Sequence, residues 1–275
     1  MNDGSAAGRV ILSVAGLTKR YAGLVAVDDV AMDVTPGTIH AVIGPNGAGK
    51  TTLFNLISGL VVPSAGTILL SGADVTTRSA DQRARLGLGR TFQNIRIFGA
   101  MTVLENALTG LHARPQVGLL PTVLRLPRFR ADEREAVTAA RAALDLVDLG
   151  PRADQPACAL PYGDQRRLEI ARAMAARPRL LLLDEPAAGL NPAETAALAT
   201  LVRRLRDTGT TVLLVEHDMG FVMDISDTVT VLNFGRRIFE GPPSAVRSEP
   251  AVIEAYLGPK VAARLAAGHR GGRGA

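Results

Sequence analysis

The sequence predicts an α/β fold, with a core built on a mainly parallel sheet, an antiparallel β-subdomain beside it and an inserted α-helical subdomain. Three observations lead to this prediction. Strand-like and helix-like runs alternate along most of the chain, short strands punctuated by Gly and Pro fill its opening third, and the strand signal disappears between about residues 95 and 175. A chain of 275 residues is long enough to bury a full core.

The opening third predicts the antiparallel subdomain. Its strand-like runs are RVILSVAGL (9–17), LVAVDDVAMDV (24–34) and GTILLSG (66–72), which turn residues separate. A further strand, TIHAVIG (38–44), leads into a glycine-rich turn and the helix TTLFNLISG (51–59). This strand is predicted to belong to the core.

The middle of the chain predicts helices. One apolar helix face is expected from residues that recur at helical spacing, namely Val137, Ala140, Leu144 and Val147. The segment LLPTVLRLPRF (119–129), with two prolines, indicates a loop or a broken helix. We therefore predict one domain over residues 9–258, with the helical subdomain at about 95–175 and a flexible basic tail at 259–275.

The last third returns to the α/β pattern. RLLLLDEP (179–186) and TTVLLVEH (210–217) have the length and apolar character of buried parallel strands. Between them a helix is predicted from apolar residues at i, i+3, i+4 and i+7, namely Leu198, Leu201, Val202 and Leu205.

Composition excludes several classes of protein. No apolar run approaches the ~20 residues that a membrane-spanning helix needs, and the N-terminal segment lacks the pattern of a secretory signal, so we expect a cytoplasmic location. The net charge is +5, but basic residues are spread along the chain, which argues against a nucleic-acid surface. The single cysteine, Cys158, excludes an internal disulfide and is expected to be a small buried hydrophobe.

The stretch GPNGAGKTT (44–52) predicts a phosphate site. It matches G-x-x-x-x-G-K-[ST] between a predicted strand and a predicted helix, which is the context that the motif requires. Its glycines let successive N–H groups point at phosphate oxygens, and the helix N-terminus adds partial positive charge. Lys50 would reach the β and γ phosphates, and the Thr51 hydroxyl would ligate Mg²⁺. The candidate ATP-binding residues are Gly44, Pro45, Asn46, Gly47, Ala48, Gly49, Lys50, Thr51 and Thr52.

A second acidic strand end is expected to hold the metal. Asp184 follows four leucines at the end of a predicted buried strand, and Glu185 stands next to it. Asp184 is the candidate metal ligand, and Glu185 can orient or deprotonate an attacking water. A helix-capping turn would explain either acid alone, but it explains the pair poorly beside a phosphate-binding loop.

With these motifs, residues from about 9 to 258 resemble the ATP-binding subunits of ABC transporters. That family has a signature sequence, usually Leu-Ser-Gly-Gly-Gln, at the start of a helix upstream of the acidic strand. The corresponding stretch here is LPYGDQRRLEIARA (160–173), in which Leu160, Gly163 and Gln165 keep the frame. By resemblance, the residues of this stretch that contribute to nucleotide binding are Pro161, Tyr162, Gly163, Asp164 and Gln165.

The signature departs from the family pattern where Pro161 replaces the serine and Tyr162 the first glycine. Pro161 suits an early helical position, since it has no N–H to leave unsatisfied and its φ is already set for a helix. The loss of one hydroxyl hydrogen bond to a charged oxygen costs up to ~1.5–3 kcal/mol. We therefore expect a weakened or tuned site that still works.

The resemblance also gives roles to residues that would be unremarkable alone. Tyr21 matches the aromatic that stacks on adenine, although a lone Tyr at a strand end is more often core or rim. Gln93, otherwise an ordinary loop amide, matches the residue that links the metal and the water to the membrane partner. His217 matches the γ-phosphate sensor. The short loop that crosses the dimer interface corresponds to Gly189, Leu190 and Asn191.

Two longer stretches, RTFQNIRIFGAMTVLENALTG (90–110) and GPPSAVRSEPAVIEAYLG (241–258), are similar to the ATP-binding subunits of branched-chain amino-acid importers, the LivG type. This resemblance implies ATP and Mg²⁺ as cofactors and hydrolysis coupled to transport at the cytoplasmic face of the membrane. It implies as partners a second ATPase subunit of the LivF type or a second copy of the chain, two membrane permeases and, indirectly, an extracytoplasmic solute-binding protein. No nucleic-acid partner is expected.

Three alternatives stay open. The chain could serve a transporter of another solute, such as urea, another amide or lipopolysaccharide. It could be a soluble ABC protein that acts on ribosomes or DNA, although such proteins usually carry two cassettes or a long coiled-coil insert. A subunit without hydrolytic activity is disfavoured because the candidate catalytic residues are all present.

Overall fold

A computed structural model describes residues 10–93, 95–113 and 127–257. The chain divides into two compact units, the first formed by residues up to Thr77 and from Leu213 onward, and the second by Arg78–Val212. The tail at 259–275 and residues 119–126 of the predicted loop or broken helix lie outside the described residues. Within the described part of the chain, no helix combines the length and the apolar character that crossing a bilayer requires.

The strands are β1 (Leu12–Tyr21), β2 (Leu24–Val34), β3 (Ile39–Ile43), β4 (Ala65–Leu70), β5 (Ala73–Asp74), β6 (Leu88–Arg90), β7 (Leu180–Asp184), β8 (Thr211–Val215), β9 (Thr228–Asn233) and β10 (Arg236–Gly241). The helices are α1 (Lys50–Ser58), α2 (Ala80–Arg85), α3 (Val103–Thr109), α4 (Pro127–Leu146), α5 (Tyr162–Ala175), α6 (Pro192–Asp207), α7 (Met219–Ile225), α8 (Pro243–Val246) and α9 (Pro250–Leu257).

The first unit contains the predicted antiparallel strands. They pair in the order β2-β1-β4-β5, and each neighbouring pair is antiparallel. The unit also contains strands in the order β10-β9-β3-β8, in which β3 is parallel to β9 and β9 is antiparallel to β10. Every residue of β3 is buried, as expected for a strand covered on both faces.

The second unit contains β6 and β7, which are parallel, followed by the start of β8. All five residues of β7 are buried, so the leucine run LLLLD forms the predicted core strand. Helices α3, α4 and α5 pack against one another. The predicted apolar face of α4 is confirmed at Ala140 and Leu144, which are buried, as is Val147 just after the helix, whereas Val137 is half-buried.

Helix α6 shows how the sequence sets a helix start. The side chain of Asn191 accepts a hydrogen bond from the Glu194 N–H, and the Glu194 carboxylate accepts one from the Asn191 N–H. Pro192 occupies the first helical position, where a missing N–H is harmless. The face predicted to be buried is buried, at Leu198, Leu201, Val202 and Leu205.

Two elements differ from the prediction or extend it. Cys158 is exposed, so the prediction of a buried thiol is wrong. It lies in a 3₁₀ turn (Ala157–Ala159) that Leu160 follows. Ala157 and Leu160, three residues apart, face inward, so the two residues between them face outward. In addition, residues 127–129 of the predicted loop or broken helix form the start of α4.

Candidate functional site

The glycine-rich loop lies in the first unit, between the end of β3 at Ile43 and the start of α1 at Lys50. Gly44 has a φ of 152° and Gly49 a φ of 99°. A Cβ atom on Gly44 would lie 2.2 Å from the Leu232 carbonyl oxygen, and one on Gly49 would lie 2.4 Å from the Ala26 carbonyl oxygen. Both positions therefore require glycine for the loop to keep this path.

Lys50 is held across the loop. Its Nζ donates hydrogen bonds to the carbonyl oxygens of Gly44, at 2.7 Å, and Pro45, at 3.0 Å, and the residue is only 8% exposed. Thr51, next along α1, is exposed. Because α1 has no side-chain cap on its first N–H groups and no acidic residue in its first turn, its N-terminus favours an anion.

The β-hairpin formed by β9 and β10, which the sequence analysis missed, makes a backbone hydrogen bond to the glycine-rich loop. The Gly235 N–H donates to the Ala48 carbonyl at 3.0 Å, and the Gly235 carbonyl accepts from the Asp28 N–H at 2.8 Å. Gly235 lies at the turn between β9 and β10, where Phe234 and Gly235 both have positive φ, 47° and 80°. The sequence signal was Gly235 between two strand-like runs, since glycine takes the positive φ that a two-residue hairpin turn requires.

Two further candidates also lie in the first unit. Tyr21 ends β1, is 43% exposed and has the Lys19 ammonium 5.1 Å from its ring centroid. His217 follows β8, and its side chain is 62% exposed. Its backbone N–H donates to the buried Glu216 carboxylate at 3.0 Å. Each side chain therefore presents its polar or aromatic group to solvent.

In the second unit, Asp184 ends β7 and pairs with a cation of its own chain. The Arg90 Nη2 lies 3.0 Å from the Asp184 Oδ2, and both side chains are less than 10% exposed. Burial raises the pKa of the Asp184 carboxyl above its usual value, and the Arg90 guanidinium partly offsets that rise. The carboxylate is thus in surroundings that favour a positive partner.

The structure brings Gln93 and Glu185 together. The Gln93 side-chain amide donates to the Glu185 Oε2 at 2.9 Å. Glu185 has a φ of 47°, in the left-handed region that costs a non-glycine residue about 1–3 kcal/mol. Such strain is common at functional sites and fixes the direction of the side chain.

The signature stretch begins α5 in the second unit. Pro161 is the N-cap, with φ −55° and ψ 157°, so the expectation of an early helical position is wrong by one residue, and the helix starts at Tyr162. The cap residue makes no side-chain hydrogen bond to the helix start. The Gln165 side chain donates back to the Leu160 carbonyl at 2.9 Å, and Asp164 pairs with Arg152 at 2.5 Å.

Tyr162 has a structural partner that explains a large residue at this position. Its hydroxyl lies 3.2 Å from the Ala188 carbonyl, to which it donates. Gly189, with a φ of 78°, is so close that an added Cβ would lie 3.2 Å from the tyrosine ring. A Cβ on Gly163 would likewise come within 2.9 Å of the Glu194 carboxylate. Tyr162 therefore joins α5 to the loop that precedes α6.

An open groove of about 410 Å³ lies on the second unit. Its lining mixes aromatic and basic side chains, including Phe92, Arg96, Phe98 and Arg172. Phe98 is 51% exposed, so the groove presents apolar surface to solvent. Such a surface suits a partner with an apolar face.

Comparison with known proteins identifies relatives of nearly the full chain. The family model described as "ABC transporter" matches residues 27–188, and "Branched-chain amino acid ATP-binding cassette transporter" matches 236–258. The chain is 48% identical over 249 residues, 90% of its length and 98% of the relative's, to the high-affinity branched-chain amino acid transport ATP-binding protein LivG of Escherichia coli K12. It is 48% identical to BraF of Pseudomonas aeruginosa, over 91% of this chain and 98% of that one.

Among solved structures, the chain is similar to the ADP conformation of MJ1267, an ATP-binding cassette of an ABC transporter. The TM-score is 0.80 at 31% identity, over 91% of this chain and 99% of that one. The predicted fold class is confirmed by this likeness and by the mixed sheet described above.

Proposed function

This chain belongs to the family of ABC transporter ATP-binding proteins and is an ATPase of that family, and from this premise we propose that it powers the uptake of branched-chain amino acids through separate membrane permeases. The observation that carries the proposal is the 48% identity to LivG, which extends over 98% of that protein. The match of residues 236–258 to the branched-chain amino acid model supports the same solute class from a separate part of the chain.

We propose that ATP binds with its phosphates in the loop 44–49 and at the start of α1. The two glycines that no other residue can replace without a clash fix the path of the loop, whose backbone N–H groups would point at the phosphate oxygens. The Lys50 ammonium would turn from the loop carbonyls toward the β and γ phosphates, which it neutralises better. Tyr21, exposed at the end of β1, would stack on the adenine.

Mg²⁺ fits the donor set of the proposed site. Hydroxyl, amide and carboxylate oxygens are the ligands that this hard cation prefers, and Thr51, Gln93 and Asp184 supply one of each. Asp184 is also a buried carboxylate that already holds a cation of its own chain, the Arg90 guanidinium, at 3.0 Å. When bound, the ion would neutralise charge that develops on the phosphate oxygens.

Glu185 would act on the attacking water as its general base. The positive φ of Glu185 fixes the direction in which its side chain leaves the backbone. The Gln93 amide lies 2.9 Å from one oxygen of its carboxylate. His217, with an exposed imidazole after β8, would contact the γ-phosphate. The second carboxylate oxygen of Glu185 would receive the proton of the water.

The second ATPase subunit would contribute the other half of each proposed ATP site. The N-terminus of α5, with its uncapped N–H groups, would face the phosphates held by the second ATPase subunit, either a LivF-type chain or a second copy. The groove of about 410 Å³ would receive an apolar cytoplasmic element of a permease. The subunit would thus lie at the cytoplasmic face of the membrane, with an extracytoplasmic binding protein supplying the solute.

The proposal is tested by uptake of radiolabelled leucine in cells with and without this gene. Uptake that requires the gene, is lost in the Glu185→Gln variant and is competed by isoleucine and valine supports it. Unchanged leucine uptake without the gene, or ATPase activity of the assembled transporter that responds to urea or an amide instead, contradicts the assigned solute.

A further inference from the structure

Helix α5 carries a buried ion pair one turn after the signature stretch. Arg166 and Glu169 are each 1% exposed, and the Arg166 Nη1 lies 3.2 Å from the Glu169 Oε2. Arginine and glutamate are almost never fully buried unless they are paired, and a buried ion pair often adds no net stability. A role beyond stability is therefore expected of this pair.

The contacts of Arg166 point to the loop that carries Gln93. Besides Glu169, its guanidinium donates to the carbonyl oxygen of Phe92 and to that of Gln93, both at 3.1 Å. A planar guanidinium has a rigid fork of donors that can hold two neighbouring acceptors at once. The backbone of Gln93 is thus fixed from α5.

Glu169 also recruits a second arginine to the same loop. The Arg172 Nη2 lies 3.5 Å from the Glu169 Oε1, and the Arg172 Nη1 donates to the Arg96 carbonyl. One buried carboxylate therefore pairs with two guanidinium groups, which donate to three backbone carbonyls of the same loop. Arg172 and Arg96 also line the groove, so the same contacts reach that surface.

The series of contacts that begins at Arg166 continues from Gln93 to Glu185. The Gln93 side chain donates to the Glu185 Oε2 at 2.9 Å, so the position of the Gln93 backbone sets where that amide can reach. We propose that Arg166, oriented by Glu169, is a positioning residue for ATP hydrolysis: it fixes the Gln93 backbone and, through the Gln93 amide, the Glu185 carboxylate. The inference rests on the proposed role of Glu185 as the base.

The variant that tests this is Arg166→Lys in the assembled transporter. Lysine keeps the positive partner of Glu169, so the protein should fold, but a point charge cannot hold both carbonyls. Misplacement of a catalytic group by about 1 Å lowers turnover by up to ~100-fold. We expect kcat to fall roughly tenfold to hundredfold, with the KM for ATP unchanged. The matched control is Arg204→Lys, since Arg204 also donates to a carbonyl, that of Leu146, and to a carboxylate, that of Asp148.

A double-mutant cycle with Gln93→Ala separates positioning from a structural role. If Arg166 acts through the Gln93 amide, Arg166→Lys has little further effect on kcat once that amide is gone. Two kcat losses that multiply would overturn the proposal, as would a wild-type kcat for Arg166→Lys. Glu185→Gln is measured in parallel, and normal turnover in that variant alone would show that the proposed function of Glu185, on which this inference rests, has failed.

Discussion

Replacement of Gly49 by alanine tests whether the phosphate-binding loop depends on a close backbone approach. An added Cβ would lie 2.4 Å from the Ala26 carbonyl oxygen, about 1 Å short of ordinary contact. The φ of 99° is also unfavourable for alanine. The matched control is Gly37→Ala, since Gly37 has a φ of 71° but nothing within 4 Å of an added Cβ.

The magnitudes distinguish the two variants. Positive φ costs alanine about 1–2 kcal/mol, and forcing extra volume into a packed position costs about 1–3 kcal/mol more. A more restricted unfolded chain returns about 0.4–1 kcal/mol. We expect Gly49→Ala to lower the free energy of unfolding by about 2–4 kcal/mol, or a melting temperature by about 5–15 °C, and Gly37→Ala by about 1 kcal/mol.

The assay is thermal unfolding of both variants without nucleotide, followed by circular dichroism. Equal melting temperatures for Gly49→Ala and Gly37→Ala would refute the reasoning, because the carbonyl contact would then have no effect. A further check is ATP affinity, which should fall for Gly49→Ala and stay unchanged for Gly37→Ala.

Three other predictions follow. Lys50→Ala should abolish ATP binding by calorimetry, because the loop loses its only lysine, and unchanged affinity would count against the loop assignment. Burial lowers the pKa of His40 to about 4, so its contribution to the free energy of unfolding is full above pH 6.5 and falls by about 3 kcal/mol as pH drops toward 4. Denaturant melts of His40→Gln, which does not titrate, should show a smaller fall in the free energy of unfolding over this pH range. An equally steep fall would contradict this cause. Cys158 is exposed and should react with a maleimide in the native protein, whereas a thiol that reacts only after unfolding would contradict that placement.

The parts of the fold that the sequence predicted are those with a local signal. The leucine run before Asp184 gave β7, the spacing of Leu198 and Leu205 gave α6, and the glycines before Lys50 gave the loop. Each feature is contiguous in the chain, so its pattern of burial or turn chemistry is visible directly.

The missed features depend on residues distant in sequence or on elements too short to show a period. Strand β6 is three residues long, below the length at which alternation can be recognised. Arg166 holds the carbonyls of Phe92 and Gln93, 74 and 73 residues away, and a backbone carbonyl leaves no mark in a sequence. The hydrogen bond from the Gly235 N–H to the Ala48 carbonyl could not be predicted for the same reason, since it also ends on a backbone carbonyl.

The central claim is that this chain hydrolyses ATP with Glu185 as the base. The measurement that tests it most directly is ATP binding and steady-state ATPase activity of the assembled transporter with Glu185→Gln. Loss of the base with an intact phosphate loop predicts that turnover stops while ATP affinity is retained. Normal steady-state turnover in that variant would contradict the account.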